Sequence, residues 1–166
     1  MDLRGERVLL RPLAVEDVPA VAAIQAQPGV ASRWGEPDKA TLHGQAAGTD
    51  DCTAFAVELD GKVVGLIQYH EEDDPMYRHA GIDLFLSEGV HGRGLGTDAV
   101  RTLALHLVRD RRHHRLVIDP AVDNVAAIRA YEKVGFRRVG VMRQYERLPG
   151  GEWHDGLLMD LLADEI

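Results

Sequence analysis

Cysteine is almost missing from this chain: Cys52 is the only one in 166 residues. No disulfide can form within the chain, and a reducing cytoplasm is the expected compartment. Asp50, Asp51 and Thr53 flank the thiol and offer nothing to lower its pKa, so Cys52 reads as a small structural hydrophobe. Long apolar runs are missing as well. None approaches the ~20 residues of a membrane span, and Asp2, Arg4, Glu6 and Arg7 stand where a signal-peptide core would be. No membrane partner is expected. Nor is there a basic excess. A net charge of −8 argues against nucleic acid, whose binding footprint is basic, and it suits cationic substrates. Repeats, low-complexity tracts and linkers are absent too, so residues 1–166 are expected to form one domain with one full core.

What the chain does have is organised around residues 82–97. Ile82, Leu84 and Leu86 alternate with Asp83 and Phe85, the period-two pattern of a strand with two different faces. Gly92, Gly94 and Gly96 then clear side chains from a turn that opens into a helix, marked by Val100, Leu103, Ala104, Leu107 and Val108 at helical spacing. Free backbone amides and the helix dipole at such a start make an anion site suited to a pyrophosphate. Two other readings compete. The glycines could serve only a tight connection. Alternatively, Gly94, Gly96 and Ala99 could spell a dinucleotide fingerprint, with Asp119 about 20 residues on. Against the fingerprint, roughly half the chain precedes the motif and too little follows to complete a doubly wound sheet.

The flanking pattern is mixed. Residues 6–13 read as a first strand ending near Pro12. Glu16 and Asp17 open a helix carrying Val18, Val21, Ala22 and Ile24, and Pro28-Gly29 stops it. Residues 30–52 have few apolar residues beyond Val30, Trp34 and Leu42. A loop with a short helix is expected there, placed to close over a site. Residues 54–69 form a hairpin around Asp60-Gly61. Leu116-Val117-Ile118 is a strand broken at Asp119-Pro120. Asp123 or Asn124 caps the next helix, with Ala127, Ala130, Tyr131 and Val134 on one face and Gly135 at its end. Strands over 136–142 and 156–162 complete a mixed α/β (α+β) domain whose sheet is largely antiparallel.

The second half resembles the GNAT superfamily of N-acetyltransferases. The likeness rests on the GRGLG turn between strand and helix, followed by Asp123-Asn124-Val125-Ala126-Ala127-Ile128-Arg129-Ala130-Tyr131-Glu132-Lys133-Val134-Gly135-Phe136. The resemblance implies acetyl-CoA as cofactor, held between splayed central strands at 80–87 and 115–119 and flanked by helices. Leu84, Phe85 and Leu86 would run beside it. Its pyrophosphate would rest on the turn from His91 through Gly92, Arg93, Gly94, Leu95 and Gly96 to Thr97, with Thr97 as an extra donor. The family usually has Gln or Arg at the place of His91, so the cradle here depends on backbone amides. Asn124 and Ala127 would meet the pantetheine arm, and the Tyr131 hydroxyl would point to the thioester sulfur. A phenol of ordinary pKa ~10 suits protonation of a leaving thiolate.

Within the superfamily the chain is similar to the aminoglycoside 6′-N-acetyltransferases. The carriers are the acidic run Glu71-Glu72-Asp73-Asp74-Pro75, then Gly81 to Leu86, then Asp119-Pro120 ahead of Asn124. That likeness implies an aminoglycoside substrate. Asp83 and Asp119 would sit at the reacting amine, Glu71, Glu72, Asp73 and Asp74 at the remaining ammonium groups, and Trp34 on the substrate side. Adjacent carboxylates repel and raise each other's pKa unless a cation is near. Each ammonium contact is worth ~1 kcal/mol in water and ~4 kcal/mol in a partly occluded cleft. Because an amine attacks only when neutral, Asp83 is the candidate base, directly or through water, with Asp119 fixing the geometry. His70, Glu71, Glu72 and His79 are of metal-ligand type but lack a recognised spacing, so no metal is expected. A monomer or homodimer is expected. The opening and closing segments are also similar to acetyltransferases of ribosomal-protein N-termini and to acylators of siderophore lysines, and a non-catalytic CoA-binding sensor is a third reading.

Overall fold

The computed structural model describes residues 1–166. Where one strand is expected over 6–13, two short ones form, β1 (Leu3–Arg4) and β2 (Leu9–Pro12), paired antiparallel. The cause lies far along the chain. The buried carboxylate of Asp98 accepts the amides of Glu6, Arg7 and Val8 at 2.9, 2.8 and 3.0 Å, so these cannot serve a strand ladder. Gly5 allows the approach, since a Cβ there would lie 2.7 Å from the same carboxylate. Asp98→Ala would leave three amides without their charged acceptor. A loss of about 3 kcal/mol in unfolding free energy is expected, read from urea denaturation.

Helix α1 (Val18–Gln25) follows a single 3-10 turn over Val15–Asp17. Asp17 secures that corner by accepting the Ala14 amide and both terminal nitrogens of Arg11. Pro28 does end α1, but it also starts α2 (Pro28–Trp34), because proline is well placed in a first helical turn. Asp38 then caps α3 (Lys39–Ala47) by accepting the Ala40 amide at 3.0 Å. Residues 30–52 are therefore mostly two helices instead of a loop with one.

The hairpin turns at Asp60-Gly61, both left-handed (φ 51° and 78°), as a two-residue connection requires. It joins β3 (Thr53–Leu59) to β4 (Lys62–Glu72). Next come β5 (His79–Leu86), α4 (Leu95–Arg109) and β6 (Arg115–Ile118), then α5 (Val125–Val134), β7 (Arg137–Arg147) and β8 (Trp153–Leu162). The sheet order is β1-β2-β3-β4-β5-β6-β8-β7, antiparallel throughout except for β5 beside β6. The expected largely antiparallel mixed sheet is what forms. One face carries the larger core, with Leu103, Leu107 and Ile128 from α4 and α5 over Ile82 and Leu116. The other face carries a smaller core, where Val21, Val30 and Leu42 from α1, α2 and α3 cover Leu66 and Phe85. No helix is long and apolar enough to cross a membrane.

Candidate active site

The site forms where the sheet comes apart. β5 and β6 pair at two positions only, Ala80 with Leu116 and Gly81 with Val117. Beyond them β5 stays bonded to β4 as far as Leu86, while Ile118 follows β8 opposite Met159. Pro120, which has no N–H to offer a ladder, comes two residues later. The edge of β5 from Ile82 to Leu86 thus has no strand partner on the β6 side. Two cavities of about 270 and 290 Å³ meet at this gap and share Ile82, Asp83, Ile118 and Asp119 as walls.

Asp83 is the shared group with the most altered chemistry. It sits opposite Gln68 in the β4–β5 ladder. Burial, and then the charge of Asp119, push its carboxyl up to about 6, against the pull of His70 and Gln68. Asp119 is raised too, mainly by burial, although Tyr145 donates its hydroxyl to Asp119 Oδ2 at 2.9 Å. A carboxylate near 6 is a better proton acceptor at neutral pH than an ordinary one, because the neutral acid is less disfavoured.

One cavity brings Tyr131, Asn124, Trp34, Leu84 and Glu146 to the pair. Tyr131 is buried against Phe136, yet its hydroxyl is not among the side-chain groups with a protein hydrogen-bond partner. Burial and the charges of Asp83 and Asp119 drive its pKa far up, so the phenol keeps its proton. Asn124 Oδ1 caps α5 by accepting the Ala127 amide at 3.3 Å, which leaves the Asn124 side-chain N–H groups free to donate into the cavity. Ala127 is half-buried on the same turn. Trp34 meets Phe85 edge-on with ring centroids 5.0 Å apart, and its neighbour Arg33 reaches Asp123 at 3.2 Å.

The turn before α4 is a donor array. None of the amides from Gly92 through Thr97 has a protein acceptor; the first that does is Asp98, which donates to Gly94 O at 3.1 Å. Gly92 and Gly94 are left-handed (φ 73° and 76°), and a Cβ at either would meet nothing within 4 Å. Open space faces free donors at the start of a helix, which fits a pyrophosphate. His91 turns back and donates Nε2–H to Leu86 O at 2.8 Å, so that nitrogen is not available to a ligand. Thr97 Oγ1 lies 3.5 Å from Ala130 O. The Arg93 carbonyl accepts from Arg7, tying the turn to the β1–β2 hairpin.

The acidic run divides. Strand alternation puts Glu72 on the face of His70 and Asp83, and puts Glu71 on the opposite face. Glu71 there binds Arg111 at 3.1 and 2.7 Å and the buried His113 at 2.7 Å. Arg111, followed by His113, holds its carboxyl down at about 2, where crowding among like charges would raise it. Glu71 therefore departs from the grouping expected at substrate ammonium groups. Glu72 and Asp74 are exposed and accept backbone amides at the turn, from Asp74 and Met76, and Asp73 is exposed beside them.

Two residues went unread in the sequence. Between Met142 and Glu146 the β7–β8 register shifts, and Gln144 is left-handed (φ 49°) with its amide donated to Asp155 Oδ1 at 2.8 Å. This bulge carries Tyr145 to one cavity and Glu146 to the other. A strand expected to end at Met142 gave no signal for them. His70 also lines the first cavity, with its ring against Gly81, where a Cβ would lie 2.1 Å from Cε1.

A family model described as Acetyltransferase (GNAT) domain matches residues 7–137. Among curated proteins, aminoglycoside N(6′)-acetyltransferase type 1 of Klebsiella pneumoniae is 35% identical over 105 residues, 56% of this chain and 51% of the relative. The chain thus spans about half the length of that relative. Among solved structures, aminoglycoside acetyltransferase AAC(6′)-Ib with coenzyme A superposes with a TM-score of 0.77 at 27% identity, covering 95% of this chain and 96% of that one. RimJ of Mycobacterium smegmatis with CoA-disulfide superposes at 0.86 and 24% identity, over 100% of this chain and 88% of that one, a likeness of fold.

Proposed function

The chain belongs to the GNAT acetyltransferase family, and on that premise we propose that it transfers acetyl from acetyl-CoA to a primary amine of a polycationic small molecule, an aminoglycoside acetylated at its 6′-amine. One observation carries the reading. The splay places two raised carboxyls, Asp83 and Asp119, in the same cavity as a protonated phenol without a partner, Tyr131. That is an acceptor for an ammonium proton beside a donor for a leaving sulfur. Acetyl-CoA supplies the activated acetyl group. The amides of residues 92–97 and the Asn124 N–H groups bind and orient it, Asp83 and Asp119 hold the amine, and Tyr131 gives its proton at the sulfur.

Glu146 favours a polycation over a single amine. It adds a third carboxylate to the Tyr131 cavity, raised mainly by burial and then by the charge of Asp119. Because Glu146 is exposed, its ion pair is worth about 1 kcal/mol. Glu146→Gln is expected to raise KM for tobramycin about fivefold and to leave KM for a monoamine such as an alanyl peptide unchanged. Equal shifts for both would retire the polycation reading. The second reading, acetylation of a protein N-terminus, rests on the resemblance of the opening and closing segments to acetyltransferases of ribosomal-protein N-termini. Turnover with the peptide alone would favour it.

A further inference from the structure

We propose that His70 carries the reacting amine's proton from Asp83 to solvent, a role that rests on the acetyltransfer reading above. Asp83 stands at the wall between two cavities. The amine, the thioester and Tyr131 belong to one of them, so the other is the side on which a proton can leave while the substrates fill the first.

The groups that face Asp83 across that other cavity differ in what they are free to do. Arg115 on β6 is a permanent cation held by Asp160 at 3.1 Å. Tyr145 on β7 gives its hydroxyl to Asp119, and burial and that carboxylate hold it up at about 12. His79 on β5 ties Nδ1 to Tyr77 O at 2.7 Å. Asp119 is already bonded to Tyr145. His70 alone presents an imidazole with neither ring nitrogen engaged by the protein. Its ring is aimed by packing. Gly81, directly opposite in the ladder, has no side chain, and the imidazole fills that space two residues from Asp83. His70 is also solvent-exposed, and its charge bears on both Asp83 and Asp119.

The proton count closes. The substrate ammonium gives one proton to Asp83, which passes it through a bridging water to a free nitrogen of His70. The nitrogen lone pair then forms the C–N bond to the acetyl carbon as the C–S bond breaks. The sulfur leaves as thiol with the Tyr131 proton, Tyr131 regains the second proton from nitrogen, and the His70 imidazolium gives the first to water.

Small-molecule rescue tests this directly. Acetyl transfer by wild type, His70→Ala and His70→Gln is followed from pH 6 to 9, with and without added imidazole. At pH 7 both variants should lose kcat by about 100-fold, with KM for acetyl-CoA and melting temperature unchanged. Imidazole should restore His70→Ala at least tenfold, in proportion to its free-base fraction, and should leave wild type unmoved. Variants within threefold of wild type across the range overturn the relay. So does a loss that is independent of pH and insensitive to imidazole, which would make the ring a packing element over Gly81. A wild type that turns over no amine is a different failure, since it overturns the acetyltransfer reading and the relay together.

Discussion

Asp83→Asn is expected to lower kcat/KM for an amine about 100-fold at pH 7.5 while raising the stability of the fold. The activity loss follows from removing the acceptor proposed for the reacting amine's proton. The gain follows from linkage. Burial and Asp119 lift Asp83 from its ordinary value to about 6, so in the folded state its ionised form is the disfavoured one. Below pH 4 both states are protonated and Asp83 costs nothing. As pH rises through 4 to 6 the unfolded chain ionises first, stability falls, and above 6 the penalty is complete. Lifting the carboxyl from its ordinary value to about 6 corresponds to about 2–3 kcal/mol. The neutral amide avoids that penalty, so chemical denaturation at pH 8 should show the variant more stable by about 2 kcal/mol, with no difference at pH 3.5. An acid limb near pH 6 is expected from the same carboxylate in the pH profile of wild-type kcat/KM. Glu71 has the opposite sign. Held at about 2 by Arg111 and His113, it contributes stability above its unfolded value, lost as pH falls toward 2. A variant of Asp83 that kept full activity would remove both the base and the anchoring role.

Tyr131→Phe is the second large effect. Its hydroxyl makes no hydrogen bond within the protein, and the ring packs on Phe136, so the substitution keeps the packing and removes only the donor. kcat should fall about 100-fold, the loss of a positioned general acid. KM for acetyl-CoA should stay within twofold, because the amide cradle and Asn124 are untouched. Unfolding free energy should be unchanged or slightly higher, since a buried hydroxyl without a protein partner adds nothing to the fold. Steady-state kinetics and urea denaturation on one preparation separate these outcomes. A loss confined to KM would place Tyr131 in cofactor binding instead of sulfur protonation.

Local chemistry made some of this visible in the chain and long-range contact hid the rest. The turn of free amides was legible because glycine spacing and a following amphipathic helix state their own geometry, and the Asn124 cap because a cap is a local device. The hairpin at Asp60-Gly61 was legible for the same reason. Glu71 and Glu72 could not be told apart without knowing that β4 runs on to Glu72. Once it does, alternation sends one to Arg111 and leaves the other on the face of Asp83. Tyr145 and Glu146 reach the cavities only through a bulge pinned by Asp155, eleven residues from Gln144 in sequence. The β1–β2 break depends on Asp98, some ninety residues away. His70 carried no motif at all. Its place follows from a ladder register and from the missing side chain at Gly81.

The most direct test mixes the purified protein with acetyl-CoA and follows free thiol against kanamycin, tobramycin, an alanyl peptide and lysine, with mass spectrometry of each product. Saturable release with the aminoglycosides is expected, with one acetyl group on the 6′-amine. Release with the peptide or lysine alone would contradict the polycation assignment and leave acetyl transfer standing. Thermal stabilisation by acetyl-CoA without thiol release from any amine would contradict acetyl transfer and leave a binding module.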